Sequence, residues 1–304
     1  MQALLEPTLV YQTGHGQQTR PWVFAGAPGS AGWDTLKWLF LPPDLPMSIT
    51  LASWNVNSVR ARLEQIRDWL YQRPVGVLAL QETKVVDADF PREAFGSLGY
   101  CTLSSGQPSY NGVALLSRTP LSEPAETAPP SLIQDCRYLS AWIPEGFYLI
   151  DIYAPNGESL QSAKFSYKLA WYDQLTTHIE SLLPKHPKIA LLGDFNIAPA
   201  DLDVHDPEAW QDSVLTDARA RDALRALERL GFRDAFRLMH PAEPIYSWWD
   251  YRGAALRRNE GLRIDLILLS QALIPHLQEA GIDTGIRHHT RPSDHVPVWV
   301  ELEP

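Results

Sequence analysis

From Met47 onward, short β-rich runs alternate with amphipathic stretches, and this alternation constrains the fold more than any other feature of the chain. The pattern predicts strands at 49–54, 75–80, 112–117, 147–153, 188–193, 246–249, 263–269 and 296–301. Between them Val59, Leu63, Ile66 and Leu70 recur at helical spacing, as do Ala220, Ala223, Leu224, Leu227 and Leu230, and a third helix over 164–183 is stopped by Pro184. Many strands with interspersed helices and no short internal repeat imply a layered α/β sandwich and exclude a helical array.

The chain has 304 residues, 45% of them hydrophobic, enough for one large domain with an appendage or for two domains. No run approaches the ~18–20 continuous apolar residues of a membrane span. The first twenty residues lack the basic and apolar regions of a secretory signal, so the expected compartment is the cytoplasm. Cys101 and Cys136 lie far apart in no metal-ligand spacing, which supports neither a disulfide framework nor a thiolate zinc site. The net charge of −10 opposes a nucleic-acid backbone if evenly spread. Carboxylates gathered around a cation count toward that total without repelling a phosphate once the ion is bound.

Residues 1–46 differ from the rest: six prolines, five glycines, five charges and no sustained periodicity. They read as a flexible or non-native extension, with residues 47–304 as the folded domain; the alternative is an arm packed through Trp22, Phe24, Trp33, Trp38 and Phe40.

Polar residues recur at strand ends, where a rigid sheet holds loop side chains over a common cleft. Asn55 and Glu82 follow the first two strands; Tyr153 and Asn156 lie in DIYAPNG, Asp194 and Asn196 in GDFN, Asp265 in RIDLILL, and Asp294 and His295 before VPVWVEL. Singly, each has a bland alternative. Glu82 suits a solvated strand end, Asp194 an Asx turn, Asn55 a helix cap and His295 a surface turn. Asp265 is harder to dismiss, since a charge between apolar strand residues must be paired or functional if buried.

Taken together, SWNVNSVRARL, QETK, YNGVALLSR, YAPNG, GDFNIAPADLDVHDP, SWWDYR, GLRIDLILLS and PSDHVPVW, in this order over about 49–302, resemble the exodeoxyribonuclease III / abasic-site endonuclease family of the endonuclease/exonuclease/phosphatase superfamily. The resemblance implies a four-layer α/β sandwich of the deoxyribonuclease I type, two packed mixed β-sheets flanked by helices. It implies a monomeric DNA repair nuclease, using Mg²⁺ or Mn²⁺, that incises duplex DNA 5′ to abasic sites leaving a 3′ hydroxyl and removes nucleotides from 3′ ends. Glu82, with Asn55 beside it, becomes the metal ligand, and Asp294 a carboxylate near the metal. Asp194 becomes the group that positions and deprotonates water, Asn196 an amide donor to water or phosphate, and Tyr153 a phenol on the phosphate or leaving oxygen. His295 becomes a donor to a phosphoryl oxygen, oriented by Asp265. Asn57 departs from relatives with Asp there.

SWWDYRGAALRRNEGLR combines Trp248, Trp249 and Tyr251 with Arg252, Arg257, Arg258 and Arg263, arginines suited to backbone phosphates and rings suited to the gap of a missing base. Strand alternation puts one indole inward and the other toward DNA, and the resemblance selects Trp248 for the abasic site. Two rivals predict other features. A superfamily phosphatase or phosphodiesterase acting on lipids, inositol phosphates or RNA lacks the SWWDYR and RRNEGLRID blocks, and a catalytically silent nucleic-acid binder has eroded site residues.

Overall fold

The computed structural model describes residues 48–303, except 123 and 125, together with the local antiparallel pair β1 (Tyr11–Thr13) and β2 (Gly16–Gln18). The expectations for residues 1–46, and for Trp22, Phe24, Trp33, Trp38 and Phe40, otherwise lie outside the described residues.

Two mixed sheets carry the fold. The six-stranded sheet has the order β12 (Leu277–Ile282), β13 (Val298–Leu302), β3 (Ile49–Asn55), β4 (Val77–Gln81), β6 (Val113–Ser117), β5 (Cys101–Ser105), with only β3 and β4 parallel. The five-stranded sheet has the order β10 (Arg233–Asp234), β11 (Asp265–Leu269), β9 (Ile189–Asp194), β8 (Phe147–Tyr153), β7 (Tyr138–Ile143), with only β8 and β9 parallel. Central strands are apolar on both faces, as burial between two layers requires: every residue of β4, β6, β9 and β11 is buried.

Three apolar layers follow. Leu51, Val77, Leu115, Leu149, Leu192, Ile267 and Val300 meet between the sheets. Outside the six-stranded sheet, Trp54 and Leu80 pack on Ile66, Trp69 and Leu70 of α1 (Leu63–Gln72) and on Phe95 of α2 (Arg92–Gly96). Outside the five-stranded sheet, Ile150, Leu191 and Leu266 pack on Phe165, Tyr172, Leu175 and Ile179 of α4 (Ala163–Leu182) and Leu224 and Leu227 of α5 (Ala218–Arg229). The short α3 (Pro130–Ile133), α6 (Ala235–Met239) and α7 (Ala255–Arg258) complete the helices. Ser162 and Asp217 cap α4 and α5 by accepting from Lys164 N and Arg219 N. The result is the helix–sheet–sheet–helix sandwich expected from sequence. No helix among the described residues is long and apolar enough to cross a membrane.

The differences from the predicted elements are systematic. Within the two large sheets, the strands absent from the sequence reading, β5, β7, β10 and β12, are the four edges. Edge strands bury less and carry mixed sequences such as CTLSS and LQEAGI, so no clean period marks them. Conversely, 246–249 is no strand. Trp248 forms only isolated bridges, to Leu262 and His295.

Candidate active site

Register assembles the site. Asp265 lies opposite Asp194 across β11 and β9, and Tyr153 lies beside Asp194 across β8 and β9, so three functional side chains leave one end of the five-stranded sheet together. Asn55 pairs with Gln81 at the adjoining end of the six-stranded sheet, where Glu82 follows. Gly193, at φ 141°, admits the close approach: a Cβ there would collide with the Ile152 carbonyl oxygen. Glu82 and Asn196, at φ 52° and 50°, both hold left-handed backbone, a conformation that costs free energy and concentrates at functional sites.

The centre is a charged relay. Asp265 accepts from His295 Nδ1 at 2.9 and 3.1 Å, and Ser247 Oγ donates to Asp265 at 2.6 Å, which fixes the carboxylate and the imidazole behind it. His295 Nε2 lies 3.8 Å from Asp194 Oδ2. Burial opposes the imidazolium, but Asp265 and Asp194 outweigh it, so His295 titrates well above its ordinary range. Burial pushes the Asp194 carboxyl up, against the pull of His295 and of donors from Asn55 and Asn196. Asn196 donates its backbone N–H to Asp194 Oδ1 (2.9 Å) and its side-chain amide to Oδ2 (3.2 Å), while its own oxygen accepts from Asn156 at 2.9 Å.

Glu82, Asp194 and His295 each place a ligand-type atom within 4.8 Å of the others. Asn55 Nδ2 bridges the two carboxylates, 2.9 Å from Glu82 Oε1 and 2.9 Å from Asp194 Oδ2. Its amide nitrogen therefore faces them, and its oxygen accepts from the Asn57 N–H at 3.1 Å. Burial would raise the Glu82 carboxyl, but the Lys84 ammonium at 2.8 Å, aided by Asn55, holds it below its ordinary range. An imidazole engaged with Asp265 is a proton donor rather than a ligand, leaving two hard carboxylates converging on one space. That donor set fits Mg²⁺ or Mn²⁺, which prefers oxygen and keeps several waters.

Asp294 stands apart from this cluster. It accepts from Asn57 Nδ2 at 3.0 Å and from Trp248 Nε1 at 3.1 Å, and its backbone carbonyl accepts from Trp249 N. Asn57 also accepts from Lys84 at 2.5 Å, so hydrogen bonds run from Glu82 through Lys84 and Asn57 to Asp294 and Trp248. The Asn57 departure thus supplies a donor and an acceptor where Asp supplies only acceptors. Burial, then the Glu82 and Asp194 carboxylates, push the Tyr153 phenol well up, so it stays a donor, with the Arg137 guanidinium 4.6 Å over its ring.

Trp249 is buried and Trp248 half-buried, its ring at the mouth in T-shaped contact with Trp210 at 6.0 Å. Arg252, Arg257 and Arg258 are exposed, the first and last paired with Asp250 and Glu260. Arg263 corrects the sequence reading. It is 1% exposed and paired at 2.7 Å with both Asp203 and Asp234, so it faces no phosphate. Sequence reasoning also passed over Lys84, although QETK displays it, and over Ser247, Arg137, Lys168 and Tyr172, whose roles depend on which backbone they meet.

The profile of the Endonuclease/Exonuclease/phosphatase family matches residues 52–295. The chain is 35% identical to exodeoxyribonuclease III of Haemophilus influenzae, over 83% of this chain and 98% of that protein. Among solved structures, the 3′ phosphatase NExo from Neisseria bound to a product DNA hairpin is 39% identical with a TM-score of 0.81, over 84% of this chain and 99% of that one. An AP endonuclease from Archaeoglobus fulgidus is 33% identical with a TM-score of 0.78, over 84% and 100%. The matched span contains β4, β6, β8, β9 and β11 and the whole relay from Asn55 to His295, and the chain belongs to the exodeoxyribonuclease III branch of the Endonuclease/Exonuclease/phosphatase family.

Proposed function

We propose that this protein is a divalent-metal-dependent DNA repair nuclease that hydrolyses phosphodiesters of duplex DNA 5′ to abasic sugars, leaving a 3′ hydroxyl, and removes nucleotides from 3′ ends. The observation that carries the reading is His295 held between Asp265 and Asp194, with Glu82 within metal-sharing reach. Asp194 takes the proton of the attacking water, and Asn196 keeps its carboxylate aimed. His295, charged through Asp265, donates to a phosphoryl oxygen as negative charge develops there. Tyr153 donates to the phosphate or departing oxygen. Glu82 would hold the ion in the space it shares with the Asp194 base, and the ion would offset phosphoryl charge and stabilise the leaving alkoxide when bound. Arg252, Arg257 and Arg258 serve as backbone contacts. The setting is the cytoplasm, in keeping with two free cysteines, and the working form is a monomer.

The test uses two end-labelled duplexes, one with an internal abasic analogue and one with only a recessed 3′ end, each with Mg²⁺, with Mn²⁺ and with EDTA. Metal-dependent cleavage of both is expected; cleavage of neither, or full activity in EDTA, overturns the reading.

Trp248 serves two purposes in this proposal, and two substitutions separate them. Trp248→Phe keeps a ring at the mouth but loses the N–H held by Asp294, a charge-assisted bond of about 1.5–3 kcal/mol, so both reactions slow together. Trp248→Ala also removes the surface against the missing base and weakens abasic-site cleavage more than 3′-end trimming. Equal loss on both substrates for the alanine variant would mark the ring as packing alone.

The catalytic unit in this reading is residues 47–304. A protein beginning at Met47 is expected to keep the activity and melting temperature of the full chain; a clear drop in either would assign residues 1–46 a packed role.

A further inference from the structure

Helix α4 carries two buried polar side chains one turn apart, Lys168 and Tyr172, that the chemistry above leaves unused. Residues at i and i+4 share a helix face, and this face lies under the turn that follows Asp194. Tyr172 Oη donates to the Phe195 carbonyl at 2.5 Å, and Lys168 Nζ donates to the next carbonyl, that of Asn196, at 2.6 Å. The other two ammonium protons go to the carbonyls of Val214 (2.7 Å) and Asn156 (3.1 Å).

This arrangement answers a requirement of the catalytic turn. The left-handed backbone of Asn196 sets both its side chain, which donates to Asp194 Oδ2, and its carbonyl, which meets Lys168 in the interior, where an unpaired acceptor costs ~1–3 kcal/mol. The Phe195 carbonyl has the same need, which the Tyr172 hydroxyl meets, while the Phe195 N–H donates to the Ile264 carbonyl of the neighbouring segment. One ammonium also binds the backbones of both asparagines whose side chains meet above it. The cation has no carboxylate in contact among the described residues and burial drives it down to about 7, with Asp194 and Asp217 resisting, so packing alone favours a methionine here.

We propose that Lys168 and Tyr172 are positioning residues that hold the Phe195–Asn196 turn in its left-handed form and thereby aim Asp194. The proposal rests on the reading of Asp194 as the base and Asn196 as its orienting donor.

The test is a double-mutant cycle in the full chain, Tyr172→Phe against Asn196→Ala, read as kcat and KM on the abasic duplex with duplex Kd measured in EDTA. Tyr172→Phe removes one hydroxyl and keeps the ring. It is expected to lower kcat by ~10-fold or more with KM and Kd within about 2-fold, and to cost less than about 2-fold further in the Asn196→Ala background. Multiplicative losses, or an unchanged kcat in Tyr172→Phe, overturn the proposal.

A second measurement covers impaired folding. The Asn196 side-chain amide resonances, identified by their loss in Asn196→Ala, should shift and exchange faster in Tyr172→Phe and in Lys168→Met. Unchanged resonances overturn the clamp. Asp194→Asn, run alongside, separates the two readings: near-normal turnover there removes the base assignment, whereas lost turnover with a multiplicative cycle removes the clamp alone.

Discussion

Asp194→Asn is expected to lower turnover by ~10²-fold or more while duplex affinity in EDTA stays within about 2-fold, since general-base removal costs that much and phosphate contacts lie elsewhere. The structure adds a second reason for a large loss. Asp194 Oδ2 accepts from both Asn55 and Asn196, and Oδ1 from the Asn196 backbone. An amide in its place turns an NH₂ toward at least one of these donors, so the side chain must rotate as well as lose its basicity. His295 simultaneously loses one of the two carboxylates that keep it charged and falls back toward its ordinary range. A variant with near-normal turnover would sink the assignment of Asp194 as base.

What made Asp265 legible was local, since a carboxylate interrupting an apolar strand has no cheap bland explanation, whereas Asp194 by itself suits an Asx turn and stood out only among the ordered blocks around it. The Trp248–Trp249 alternation was legible for a similar reason, although no strand forms there. Ser247 instead spends its backbone on Leu262 and Val296 and its hydroxyl on Asp265, so the segment keeps a strand's side-to-side alternation without a ladder. Lys168 and Tyr172 were illegible because a buried lysine on a helix looks like any other lysine until its acceptors, three carbonyls from three separate loops, are known. Glu82 shows the same limit from the other side. Its residue type was readable, but its left-handed backbone and Lys84 partner are properties of the folded loop.

Arg263 is the case where composition misled, and it sets the largest expected loss of stability. Read among arginines beside a Trp-Trp pair, it looks like a phosphate contact; in the fold its guanidinium donates to Asp203 Oδ1 at 2.7 Å, both side chains 1% exposed. Asp203 also accepts from Arg237 at 2.6 Å and from Ala200 N at 3.0 Å, and the Arg263 N–H donates to the Asp203 carbonyl. One carboxylate thus joins the 3₁₀ turn Asp201–Asp203 to α6 and to the segment entering β11, beside the Val204–Leu262 and Trp248–Leu262 bridges under the site. Asp203→Ala leaves Arg263 buried with only Asp234 to balance it, and breaking a buried pair this way costs about 3–5 kcal/mol. For a unit of this size each kcal/mol lowers the melting temperature by about 2–4 °C, giving a fall of roughly 6–20 °C. Asp89→Ala is the internal comparison, because its pair with Arg60 has the same 2.7 Å length but is more than half exposed on both sides and is worth at most ~1 kcal/mol. Thermal melts of the two variants decide the matter: if Asp203→Ala melts no earlier than Asp89→Ala, the buried network is not what holds the Trp248 segment to the sheet.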